Sequence, residues 1–173
     1  MRKDLFQPTD EGQARLLLLI NAFSKKDEGL EGRTKLAKLD FFLRYPNFFH
    51  RALQIRAPGT AQMASSEGAG ETIEDRMVRY RYGPWDPAYF ALLGALVGKG
   101  LVMTIPSRRG VVYRTTARGK AVAARLATTD AWNDTATRAQ QIKKHFDLTG
   151  TWLKEFVYRH FPEVAGATWG RKL

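Results

Sequence analysis

The segment from Pro87 to Leu126 restricts the fold more than any other part of the chain. PAYFALLGALVGKG is apolar at helical spacing, LVMTI and VVYRT are short runs of strand formers, and PSRRG between them reads as a tight tip. Thr116 stands where an N-cap belongs, directly ahead of a further helix beginning ARGKAVAARLA. A helix that feeds a two-stranded hairpin and then another helix leaves few architectures open.

Upstream, a helix is predicted from about Glu11 to Phe23, capped by Thr9 or Asp10. Leu16, Leu19, Ile20 and Phe23 share one side, and Leu17 and Leu18 widen it until little polar surface remains. Such a helix belongs at the centre of a core. SKKDEGLEG ends it, with Gly29 and Gly32 as breakers. RTKLAKLDFFLRYP is a second helix with Thr34 as candidate cap, Leu36, Leu39, Phe42 and Leu43 inward, Lys35 and Lys38 outward, and Pro46 as its stop. NFFHRALQ, capped by Asn47, extends the core. Residues 56–75 lack an apolar period and read as an exposed insertion.

MVRYRY, from Met77 to Tyr82, alternates like a strand, with Arg79 and Arg81 on one side. After a Gly83-Pro84 turn, Asp86 caps the next helix and Pro87 takes its first position. That helix is expected to bury Tyr89, Leu92, Leu93, Leu96 and Val97, to use Gly94 for close packing, and to end at Gly98 or Gly100. The order predicts an α+β, mainly helical chain, with a winged helix-turn-helix-like domain over residues 1–128. A generic small α+β domain with one hairpin is the competing architecture. Residues 129–173 read as a C-terminal helical pair. AWNDTATRAQQIKKHFD is capped by Asp130 and has Ala131, Ile142 and Phe146 among its apolar positions; GTWLKEFVYRHFPEV is capped by Thr149. Trp152, Leu153, Phe156, Val157 and Phe161 make a broad stripe on the second helix, which either packs on the winged domain or docks in a partner.

Charge is placed unevenly. The net charge is +11, and residues 1–75 carry as many acidic as basic residues, so the whole excess falls after residue 75. That asymmetry suits a polyanion or an acidic protein surface, although scattered cations that only keep a protein soluble give the same total. With 44% hydrophobic residues the chain can build a sizeable core. Without cysteine it has no disulfide or thiol chemistry. The longest apolar run, Leu16 to Ile20, is far below a membrane-spanning length, and MRKDLFQPTDEGQ is a poor signal peptide, so a cytoplasmic protein without membrane contact is expected.

No catalytic constellation stands out. His50, His145 and His160 have no HExxH or carboxylate companion, and Asp75, Asp86, Asp130, Asp134 and Asp147 sit where caps are expected. GKG is followed by Leu101, not by the Ser or Thr of a phosphate-binding loop. The expectation is a non-enzyme with no metal and no cofactor. For nucleic acid, Arg108 and Arg109 at the hairpin tip, with Arg114 and Arg118 behind and Arg79 and Arg81 on the supporting strand, are candidate phosphate contacts. The helix in the recognition position offers only Tyr89 and Lys99, without Arg, Asn or Gln, and is a poor reader of base edges. Its apolar character favours contact with protein. Tyr89, Trp152, Phe156 and Phe161 are the candidate partner-binding residues.

GLEGRTKLAKLDFFLRYP (29–46), MVRYRYGPWDPAYFALLGALVGKGL (77–101) and VVYRTTARGKAVAARL (111–126) resemble the small middle component of bacterial ABC-three-component systems, and FVYRHFPEV has the same flavour. Lamassu-type antiphage defence is one setting of that family. The resemblance implies a winged-helix-like, non-catalytic accessory subunit that binds an SMC-like or Rad50-like ATPase. An effector, often a nuclease, belongs to such systems, and the assembled complex is associated with non-specific double-stranded DNA. It does not say which side chains bind the ATPase. A winged-helix transcriptional regulator is the alternative, since wings of the VVYRTTARGK kind are widespread.

Overall fold

In the computed structural model the described residues are 7–60, 78–80 and 83–166. They form an α+β, mainly helical fold. In chain order the elements are α1 (Asp10–Phe23), β1 (Leu30–Glu31), α2 (Arg33–Arg44), α3 (Pro46–Arg56), β2 (Val78–Tyr80), β3 (Gly83–Trp85), α4 (Tyr89–Gly98), β4 (Val102–Ser107), β5 (Gly110–Thr115), α5 (Ala117–Ala127), α6 (Asn133–Phe146), α7 (Gly150–His160) and α8 (Pro162–Ala165).

Leu16 to Ile20 of α1 are each at most 4% exposed. A helix apolar on every side needs cover on every side, and α1 receives it from α2, α4, β5, α5 and α6. Each buried leucine contributes about 1.5–3 kcal/mol through removal from water. Three expected threonine caps are made. Thr9, Thr116 and Thr149 accept from the backbone N–H of Gly12, Gly119 and Trp152 at 3.1, 3.0 and 3.2 Å. Four other caps differ. Gly32, at φ 80°, precedes α2 in place of Thr34; Tyr45 precedes α3, with Pro46 in its first turn, in place of Asn47; Ala88 precedes α4 in place of Asp86, which leaves Pro87 ahead of the helix; and Trp132 precedes α6 in place of Asp130.

An antiparallel sheet has the order β1-β5-β4, with Leu30 opposite Tyr113 and Val102 opposite Thr115. Pro106 and Ser107, expected in the tip, belong to β4 and pair with Val111 and Gly110, so the tip is Arg108-Arg109 alone. A second antiparallel ribbon, β2-β3, pairs Val78 with Trp85 and packs against α2. Its return strand runs through Gly83-Pro84, which the sequence pattern assigned to a turn. Most of the expected 56–75 insertion, along with Met77, Arg81 and Tyr82, lies outside the described residues.

Lys38 is a correction: it is 1% exposed, not outward. α7 covers this side of α2. The Lys38 ammonium donates to Thr34 O at 3.2 Å, and burial, aided by repulsion from Lys154 of α7, pulls its pKa down to about 8.

The tail helices share the core. Phe42 of α2 lies 5.0 Å from Phe146 of α6, and 6.4 and 6.3 Å from Phe156 and Phe161, ring centre to ring centre. Phe49 of α3 joins the same cluster at 6.4 Å from Phe42.

Where α5 begins, its backbone crosses the α4–β4 junction closely. A Cβ on Gly119 would lie 1.9 Å from Leu101 O and 2.8 Å from Leu101 C. Leu101 cannot retreat freely, because its N–H donates to Leu96 O and its carbonyl accepts from Thr116 N–H, both at 3.0 Å. Gly119→Ala is therefore expected to lower the free energy of unfolding by about 1–3 kcal/mol. Urea denaturation measures it; a midpoint equal to wild type would mean that α5 can slide off the junction without cost.

Candidate functional site

The two-residue tip of the β4–β5 hairpin holds Arg108 and Arg109 in solvent. Gly110 follows at φ 121°, a backbone region that side chains disfavour, so glycine is what lets the tip turn this tightly. The Arg109 N–H donates to Ser107 Oγ at 3.3 Å. Arg118 is also exposed, but it stands in α5 beyond the opposite end of β5, roughly 20 Å away at strand rise. Arg114 is half-buried. Its guanidinium donates to Lys26 O and lies 4.0 Å from Asp27, which fastens β5 to the turn after α1. Arg79 belongs to β2, and Arg81 falls outside the described residues. Of the four arginines whose side chains are described, Arg108 and Arg109 are the pair brought together and presented, while Arg114 and Arg118 stand apart from them.

Tyr89 faces inward, with 0% exposure. Its hydroxyl donates to Asp40 Oδ2 at 2.7 Å. Around Asp40, itself 0% exposed, Arg15 Nε donates to Oδ1 at 2.8 Å, and Arg44 Nε lies 3.2 Å from Oδ2 as an ion pair without hydrogen-bond alignment. The other end of Arg44 donates to Asp86, whose second oxygen accepts the Ala88 N–H at 2.7 Å. Two guanidiniums and two carboxylates therefore tie α1, α2 and the start of α4 together in the interior. Burial alone would push the Asp40 carboxyl up; Arg15 and Arg44, with hydrogen bonds from Arg15 and Tyr89, outweigh it and hold it below the usual carboxylate range. Burial and the Asp40 charge together push the Tyr89 hydroxyl well above its ordinary value. Tyr89 sets the angle of α4 and has no exposed surface for a partner in the free chain.

That angle turns another face of α4 outward. Phe90 is 62% and Val97 40% exposed, one on either side of Gly94 along the helix. Nothing lies within 4 Å of a Cβ built on Gly94, so the expected close packing is absent, and Val97 leaves the buried face. The Arg33 guanidinium rests 4.4 Å over the Phe90 ring. Helical spacing carries a sign of this face: with Tyr89, Leu92, Leu93 and Leu96 inward, Phe90, Gly94 and Val97 fall together on a flank roughly a third of a turn away.

On α7, Phe161 just beyond its end is 0% exposed and Phe156 7%, so both belong to the aromatic core; Trp152 is half-buried. Trp152 stacks on Phe156 at 4.9 Å with planes 16° apart. Between α3 and α7 these rings floor a groove of about 290 Å³. Ile55, Arg56, Arg159 and His160 edge it together with Glu155.

Among the described residues no three His, Asp or Glu side chains gather as a metal site, and no helix is long and apolar enough to cross a membrane. No family model matches the chain, and neither a curated protein nor a solved structure matches it.

Proposed function

We propose that the chain is a non-catalytic winged helix-turn-helix subunit that holds another protein. The SMC-like ATPase suggested by the sequence resemblance is the partner, and the hairpin tip touches DNA in the assembled complex. The order α1, β1, α2, α4, β4, β5, with β1 added to the hairpin on the β5 side, supports the winged reading; α3 and the β2–β3 ribbon are then insertions ahead of the recognition-position helix. The observation that carries the functional reading is the outward face of α4. A base-reading helix presents hydrogen-bonding side chains to the major groove, whereas this one presents Phe90, Gly94 and Val97. Apolar anchors of that kind suit a protein interface.

The test is co-expression with the SMC-like ATPase, followed by purification. Phe90→Ser and Val97→Ser together are expected to weaken retention about tenfold or more without lowering the melting temperature, because both side chains are exposed. In the same complex, Arg108→Glu with Arg109→Glu is expected to weaken unrelated DNA sequences equally and to reduce the salt slope by about 2. Wild-type protein that retains no ATPase but binds one operator sequence tightly, with loss confined to that sequence in the arginine variant, establishes the transcriptional regulator instead.

A further inference from the structure

We propose that the groove between α3 and α7 seats an acidic peptide segment of a partner protein, entered by one large apolar side chain flanked by aspartate or glutamate. The proposal rests on the reading of the chain as a docking subunit and specifies where, and by what chemistry, a partner segment is held.

The floor is apolar and already ordered. Trp152 and Phe156 are stacked, and Ile55 stands at the lip with 47% exposure. At about 290 Å³ the groove lies at the lower end of ligand-site volumes, which run roughly 300–1,000 Å³, and has room for one large anchoring side chain.

The rim selects for acid. Arg56 Nε donates to His145 O at 2.7 Å, and its guanidinium carbon lies 5.0 Å over the Trp152 ring. Those two contacts hold the guanidinium at the rim and leave its terminal N–H groups for a carboxylate. Among the described residues no carboxylate lies within ion-pair distance of Arg56 or of Arg159. The contrast is local: Arg51, on the same helix as Arg56, has Glu163 as its partner. The positive field registers on His145, whose pKa is lowered by burial first, then by Lys144 and Arg56. Glu155 is the one acidic side chain in the lining. A slot floored by two aromatic rings, under two arginines that have no carboxylate partner among the described residues, is complementary to an acidic segment and repels a basic one.

Random short peptides displayed on phage, selected on the immobilised full chain, supply the probe. Enriched sequences are synthesised and titrated by fluorescence anisotropy against wild type, Ile55→Glu and Arg159→Glu. Both substituted side chains are exposed, and a melting curve on each variant verifies the fold. The expected result is a shared large apolar residue beside aspartate or glutamate, with binding weakened about tenfold or more in each variant and by added salt. Absence of enrichment, enriched peptides without acidic residues, or binding to both variants as tight as to wild type overturns the proposal. So does a wild-type dimer abolished by Ile55→Glu, which makes a second copy the occupant. A single-stranded oligonucleotide that binds where no peptide does, and is lost in Arg159→Glu, overturns it in favour of nucleic acid. Equal ATPase retention by wild type and both groove variants, with no peptide selected, sinks this proposal while the docking-subunit reading stands. Selected peptides without any retained ATPase give the reverse.

Discussion

Asp40→Asn is expected to lower the melting temperature by roughly 10 °C, on a loss of about 3–5 kcal/mol. The magnitude follows from what the substitution leaves behind. Arg15 and Arg44 are both buried and face the same carboxylate, with Tyr89 donating to it as well. Removing that charge takes from Arg15 its ion pair with Asp40 and from Arg44 one of the two carboxylates it faces. An unpaired charge in the interior costs far more than the ion pair itself contributes. Replacing Asp40, Arg15 and Arg44 together by apolar residues of similar volume is accordingly expected to recover much of the loss.

The pH dependence has a definite sign. The folded-state pKa of Asp40 is depressed, so its contribution is present above the unfolded carboxyl pKa of about 4 and is lost as pH falls through the lower folded value. The stability gap between wild type and Asp40→Asn should hold constant from about pH 5 to 8 and narrow below about pH 4. Thermal denaturation across that range measures it. A gap near zero at neutral pH would show that the two arginines find other partners.

This network was not legible in the sequence. Asp40 and Arg44 are four residues apart on α2, but the other pairings span 25, 42 and 49 residues, and pairings at that distance leave no local pattern. Asp86 reads as a cap because its position before a helix is a local signal, but Ala88 holds the cap position of α4, and Asp86 accepts the Ala88 N–H in the turn ahead of it. Its second role, receiving Arg44, depends on tertiary placement. Lys38 misled for the same reason: helical periodicity gives the face of α2 that turns from α1, but not that α7 returns to cover it. What could be read were features in which neighbours decide. The greasy α1, the hairpin and the caps at Thr9, Thr116 and Thr149 are set by residues within one turn or one strand pair. The candidate site divides likewise. Arg108 and Arg109 follow from a local hairpin, whereas the outward face of α4 follows from a tyrosine hydroxyl anchored to an aspartate on another helix.

Phe42→Ala is expected to cost about 3–5 kcal/mol and to loosen the tail and the central helix together. Phe42 is fully buried among Phe49, Phe146, Phe156 and Phe161, so one truncation opens a cavity against α3, α6, α7 and the α7–α8 turn at once. The sequence pattern places a boundary near residue 128 and reads the tail as a helical extension. α6 of that tail covers both α1 and α2 and supplies Ala139 and Ile142, each at most 1% exposed. If α6 and α7 left, the side of α1 that α6 covers and the side of α2 that both cover would face water, which is unfavourable by about 25 cal/mol for each Å² of apolar surface exposed. Site-resolved hydrogen exchange on Phe42→Ala separates the two cases. Amides of α1 and α4 should lose protection in step with those of α6 and α7, in a single cooperative opening. Loss confined to α6 and α7, with α1 and α4 protected as in wild type, would mean that the tail is a separable extension. The groove between α3 and α7 would then sit across a junction that can open, and its rigid floor of Trp152 and Phe156 could not be the preformed seat that an incoming side chain requires.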